Sequence, residues 1–135
     1  MSWQLLTIPP PEWTNNTKFT PPQRAGLRYQ RRVSKWLRQE ARDLNLTLHS
    51  GPWLIDPATD RPCQPDFLLE SPGQCLLLIE VKLTQVDCTP QFTKYRRALR
   101  LPNLPCIQIC RRLTSPATLR DLTDFHHGGV MLVYL

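Results

Sequence analysis

From Thr20-Pro21 to about Asp43 the apolar positions recur three and four apart, at Tyr29, Val33, Leu37, Ala41 and Leu44, with Trp36 beside them. That period predicts an amphipathic helix opened by an N-cap and a proline in its first turn. Gln30 falls on the apolar face, one turn before Val33. The pattern then breaks into strand-length runs. Leu46-Thr47-Leu48 and Trp53-Leu54-Ile55 predict strand, bent at Ser50-Gly51-Pro52, and residues 56–60 predict a turn. Cys63–Leu69 is the second strand and Gln74–Leu83 the third. Thr89-Pro90 repeats the cap-then-proline signal and opens a helix over Pro90–Leu101, with Phe92, Tyr95, Ala98 and Leu99 inward. Cys106–Cys110 is a fourth strand, Ser115-Pro116 opens a short third helix, and Val130–Tyr134 is a last strand.

Charged residues interrupt this pattern at one place. Glu80 and Lys82 end the apolar run Leu76-Leu77-Leu78-Ile79, and two residues apart they share one strand face. A charge buried in such a run is costly unless paired. A three-residue loop Pro72-Gly73-Gln74, with Gly73 at positive φ, would set Ser71 opposite Cys75 and Asp66 opposite Glu80. Two carboxylates and a lysine then meet at the end of a buried hairpin, a pattern that suits a hard divalent cation. On an exposed hairpin Glu80 and Lys82 would be an ordinary surface pair. The apolar residues on both parities around them argue for burial instead.

Pro65-Asp66 followed by Glu80-Val81-Lys82 resembles the PD-(D/E)XK motif of the restriction-endonuclease-like nuclease superfamily. The resemblance covers residues 20 to about 112. It implies an α/β fold with an αβββαβ core, a mixed central sheet flanked by helices. It further implies Mg²⁺, with Mn²⁺ substituting, held by Asp66, Glu80 and the Val81 carbonyl, and Lys82 positioning the attacking water. The first helix, from Arg24-Ala25-Gly26-Leu27 to Val33-Ser34-Lys35, is similar to that of phage junction-resolving endonucleases of the superfamily. Where those enzymes carry a glutamate this chain has Gln30, which offers hydrogen bonds but no charge. Gln91 and Tyr95 are spaced as in the extra motif of RecB-type nucleases. The expected activity is a Mg²⁺-dependent DNA endonuclease of the small, structure-selective kind borne by phages or mobile elements. The alternatives are a RecB-like exonuclease or single-strand nuclease, and a non-catalytic nucleic-acid-binding subunit that keeps the fold. The resemblance to junction-resolving enzymes, which cut two matched strands as symmetric dimers, implies a homodimer.

Charge strengthens the nucleic-acid reading. The chain has 135 residues and a formal net charge of +6. Arg24, Arg28, Arg31, Lys35, Arg38 and Arg42 make one cationic stripe opposite the apolar face of the first helix. Lys94, Arg96, Arg97 and Arg100 give the second helix a basic face, expected to line the same groove. Both suit a DNA phosphate backbone, although a stripe of this kind is often just a solvated surface. No apolar run reaches the ~18 residues of a membrane span, and no signal-peptide pattern opens the chain. The cytoplasm of a bacterial or phage-infected cell is the expected location. The five cysteines show no metal-ligand spacing and are expected to be reduced thiols. His126-His127 before Gly128-Gly129 suits a helix C-terminus better than a metal. Residues 1–19, with Trp3, Trp13 and three consecutive prolines, are expected to form an extended arm on a single domain spanning 20–135.

Overall fold

The computed structural model describes residues 20–111 and 130–135. The Pro-rich arm, the third helix and His126-His127 lie outside the described residues. Helix α1 (Pro21–Asp43) begins with a capping box. The Thr20 backbone N–H donates to Gln23 Oε1 at 2.8 Å, and the Gln23 N–H donates to Thr20 Oγ1. Its C-terminus is closed by Asn45 at φ 61° and by the Leu46 N–H donating to the Ala41 carbonyl. Neighbouring like charges along its stripe cost about 0.2–0.5 kcal/mol each. Burial of Tyr29, Val33, Leu37 and Ala41 offsets them, because a single buried Val or Leu contributes about 1.5–3 kcal/mol.

Strands β1 (Thr47–Ser50), β4 (Phe67–Ser71), β5 (Gln74–Lys82), β6 (Cys106–Cys110) and β7 (Val130–Tyr134) form one mixed sheet, in the order β1-β4-β5-β6-β7. The β1–β4 and β4–β5 pairs are antiparallel; β5–β6 and β6–β7 are parallel. Helix α2 (Thr89–Leu99) connects β5 to β6. Side chains alternate between two cores. Phe67, Ile79, Val81 and Ile109 pack with Tyr29, Val33 and Leu37 of α1. Leu68, Leu78 and Cys106 pack with Phe92, Tyr95 and Leu99 of α2. The two helices therefore cover opposite faces of the sheet. All five cysteines are buried as free thiols. No helix among the described residues is long and apolar enough to cross a membrane.

Two expected strands divide. The bend at Ser50-Gly51-Pro52 separates β1 from β2 (Leu54–Asp56), which pairs only with β3 (Arg61–Cys63) in a two-stranded ribbon. Gly51 takes φ 59° there. The expected strand Cys63–Leu69 likewise breaks at Gln64-Pro65, leaving Cys63 in the ribbon and Phe67 in the sheet. Asp56, read from sequence as a turn former, is fully buried and anchors this ribbon to α2. Its carboxylate accepts from Arg97 Nε at 2.9 Å and Nη2 at 2.8 Å, and from the Ala58 N–H at 3.1 Å. The Arg97 hydrogen bonds hold Asp56 down to about 2. The carboxylate therefore stabilises the fold above its ordinary value of 3.8, and that contribution is lost as pH falls through about 2. Asp56→Asn is expected to cost about 2–3 kcal/mol at neutral pH, read from a urea midpoint. An unchanged midpoint would show that the pair does not hold the ribbon.

Candidate active site

The hairpin reaches the expected meeting of Asp66 and Glu80 by a different route. Its loop has two residues, Pro72-Gly73, because Ser71 pairs with Gln74 and Glu70 with Cys75. That register would leave Asp66 one residue out of step. A bulge between Leu69 and Glu70 leaves Leu76 unopposed and restores the step, so Leu69 faces Leu77 and Phe67 faces Ile79. One residue beyond the ladder, Asp66 comes level with Glu80. Gly73 takes φ 78°, as the turn requires.

At this end of the sheet, carboxylates replace the backbone ladder. The Asp66 N–H donates to Glu80 Oε1 at 3.0 Å, and the Val81 N–H donates to Asp66 Oδ2 at 2.8 Å. The Asp66 carbonyl accepts from the Gly51 N–H at 2.8 Å. Each acid thus holds the other's strand, which fixes both to the positions of β4 and β5. Lys82 Nζ lies 3.7 Å from Glu80 Oε2, with its side chain partly exposed. From α1, Gln30 Nε2 donates to the other Asp66 oxygen at 3.3 Å. The amide stands where a third acid was in question, and it touches the site as a neutral hydrogen-bond donor.

Glu80 shares the face of Leu78, so it points to the α2 side and is buried there. Burial and the neighbouring Asp66 charge push Glu80 up to about 7. Burial also raises Asp66, against the opposing effects of the Val81 N–H and Lys82. The buried Tyr95 hydroxyl donates to the Gln64 carbonyl at 3.2 Å and lies within hydrogen-bonding reach of Glu80. Burial raises its phenol well above the ordinary tyrosine value.

One participant had no sequence signal beyond its parity. Gln108 is level with Glu80 in the β5–β6 ladder and fully buried. Its amide donates to the Val86 carbonyl at 2.6 Å and accepts from the Val86 N–H at 3.1 Å. This clamp holds the segment that leaves Lys82 and enters α2. A polar residue between Ile107 and Ile109 was the clue available, readable only once β6 is known to run parallel to β5.

Gln30, Asp66, Glu80, Val81, Lys82 and Tyr95 are thus brought together. The basic residues are not. Arg24, Arg28, Arg31, Lys35 and Arg38 stand exposed on the outer face of α1, away from the sheet. Lys94 and Arg97 belong to α2 on the opposite side, so the expected single basic groove is absent among the described residues. Arg97 is engaged by Asp56, and Arg96 Nε donates to the Leu104 carbonyl. Gln91, half-buried, lies one turn before Tyr95.

The donor set is all oxygen, which suits Mg²⁺ or Mn²⁺ better than a thiophilic metal. Two carboxylates, Glu80 buried and Asp66 half-buried, whose proton affinity burial raises are chemically matched to a divalent cation. Among the described residues there is no group of three or more His, Cys, Asp or Glu side chains that could hold a metal. The fit is therefore to an ion that keeps most of its water, as Mg²⁺ does. Searches against protein-family models, curated proteins and solved structures find no match for this chain.

Proposed function

We propose that this protein is a Mg²⁺-dependent nuclease that hydrolyses DNA phosphodiester bonds at Asp66, Glu80 and Lys82. The observation that carries the reading is the pair of adjacent carboxylates, each accepting a backbone N–H from the other's strand, with Lys82 Nζ 3.7 Å from Glu80. The succession α1, β1, β4, β5, α2, β6 supports it, since it agrees with the αβββαβ core that the PD-(D/E)XK resemblance implies, with β2–β3 as an insertion. Asp66, Glu80 and the Val81 carbonyl would hold the metal, which when bound acidifies water and neutralises charge on the phosphate. Lys82 orients the nucleophile and balances charge on the equatorial oxygens of the transition state. Gln30 holds the Asp66 carboxylate, and Tyr95 and Gln108 fix the α2 side of the site. A homodimer with a structure-selective substrate accords with the likeness to junction-resolving enzymes.

Tyr95 set against Glu80 favours a second reading, an exonuclease or single-strand nuclease of the RecB type. A cleavage assay on labelled duplex, single-stranded and four-way-junction DNA decides between them. Internal cutting of duplex or junction that EDTA abolishes is the expected result. Terminal shortening of single strands would select the second reading. Binding without cutting in Mg²⁺ and Mn²⁺ would overturn both and leave a binding subunit, with the neutral Gln30 as its physical reason.

A further inference from the structure

The candidate active site meets α1 at Gln30, beside the inward face of the helix, whereas the α1 stripe faces outward from the opposite side of that helix. The body of a helix about 10 Å wide separates them. We propose that the outer face of α1 is a second binding surface, distinct from the active site, that takes the phosphate backbone of a DNA duplex. That the polyanion is a nucleic acid rests on the nuclease reading; the separateness of the surface rests on the fold alone.

Arg24, Arg28, Arg31, Lys35, Arg38 and Arg42 are all exposed, and none joins an ion pair among the described residues. Two cations elsewhere have carboxylate partners: Arg97 has Asp56 and Lys82 has Glu80. Along the α1 stripe the described residues supply none. The first turn holds no acid, and Asp43, off the stripe, accepts from Gln39. A stable fold that leaves a single-sign row uncompensated has it free for an external polyanion. The row runs about 27 Å along the helix axis, a length over which a duplex presents many phosphates.

The chemistry of the row selects duplex over single strand. Single-strand sites interleave cations with aromatic platforms for the bases. This row has none. Trp36, the large aromatic nearest the row among the described residues, turns to the Tyr29 side and lines a cavity of ≈ 230 Å³ with Arg32 and Leu135. A cation-only surface contacts backbone and reads no bases. A chain with one segment of DNA at Asp66 and Glu80 and another on α1 suits a substrate that presents two helical arms.

The test counts short blunt duplexes bound per chain by native mass spectrometry. It uses the full chain carrying Lys82→Ala in Mg²⁺, with and without Arg28→Gln, Arg31→Gln, Lys35→Gln and Arg38→Gln together. Two duplexes per chain are expected, falling to one when the stripe is neutralised. The slope of log affinity against log salt should fall by about 3–4. One duplex per chain before neutralisation, or an unchanged slope after it, overturns the proposal. Tighter binding to vesicles of anionic phospholipid than to duplex also overturns it. Loss of like-charge repulsion should hold or raise the thermal midpoint. If the fourfold variant fails to fold, Arg31→Glu and Arg38→Glu singly replace it, each expected to lower the slope by about 1. Two-duplex binding that depends on the stripe, without metal-dependent cleavage in the native chain, would sink the nuclease reading and leave this one standing.

Discussion

Glu80→Gln should yield a protein that is more stable than the native chain above neutral pH and cuts no DNA. Glu80 rises from an ordinary value of 4.5 to about 7, driven first by burial and then by the Asp66 charge. Below pH 4.5 the group is protonated whether the chain is folded or not, and it costs nothing. Between 4.5 and about 7 the folded state keeps a proton that the unfolded state has released, so stability falls as pH rises. Above that window the full cost remains, of the order of 3 kcal/mol at 1.36 kcal/mol per pKa unit. Glutamine keeps an oxygen to accept the Asp66 N–H and brings no charge. A gain of about 1–3 kcal/mol at pH 8, vanishing near pH 4, is the expected signature. Thermal melts of both proteins in EDTA across pH 4–8 check it. A native protein whose stability does not decline over this window would show that Glu80 is not held under repulsion. The same charge is what a divalent cation needs, so cleavage in Mg²⁺ should fall by at least about 10³-fold.

Lys82→Ala should separate chemistry from binding. The ammonium sits beside Glu80 at 3.7 Å on a partly exposed side chain, where it can face a phosphate or an attacking water. Removing one preorganised electrostatic partner of a transition state typically costs about 10²–10³ in rate. Affinity for DNA, summed over many phosphate contacts, should change by less than about threefold. Asp66→Ala should also lose cleavage, and in addition lose some stability because the Val81 N–H then has no acceptor. Single-turnover cleavage and fluorescence anisotropy on one labelled duplex measure both quantities. A parallel loss of binding and cleavage in Lys82→Ala would mean that the lysine holds the backbone and takes no part in the chemistry.

Local pattern carried the two described helices and the meeting of Asp66 with Glu80, and failed where distant partners decide. The period of α1 placed Tyr29, Val33 and Leu37 inward and Gln30 toward the site, because a helix face follows from spacing alone. The cap of α2 was misplaced by one residue. Thr89 is already helical, and its N–H donates to Asp87 Oδ1 at 2.9 Å. The hairpin brought Asp66 level with Glu80, yet through a two-residue loop and a bulge whose errors in register cancel. No local signal marks a bulge in a run of leucines. The β2–β3 ribbon was read as part of the main strands, since its independence depends on Asp56 meeting Arg97, 41 residues away. The roles of Gln108 and of the two basic faces likewise depend on which strand is parallel to which, and on the sheet coming between the helices.

In the proposed nuclease, Asp66 and Glu80 are held together so that a divalent cation can replace the proton that they otherwise retain. Calorimetric titration of the protein with Mn²⁺ at pH 7, in two buffers of different ionisation enthalpy, measures both binding and the protons released. Saturable binding to the native chain with net proton release, and no such binding to Glu80→Gln, is the expected result. Binding of equal strength to both proteins, or none to the native chain at millimolar Mn²⁺, would contradict it.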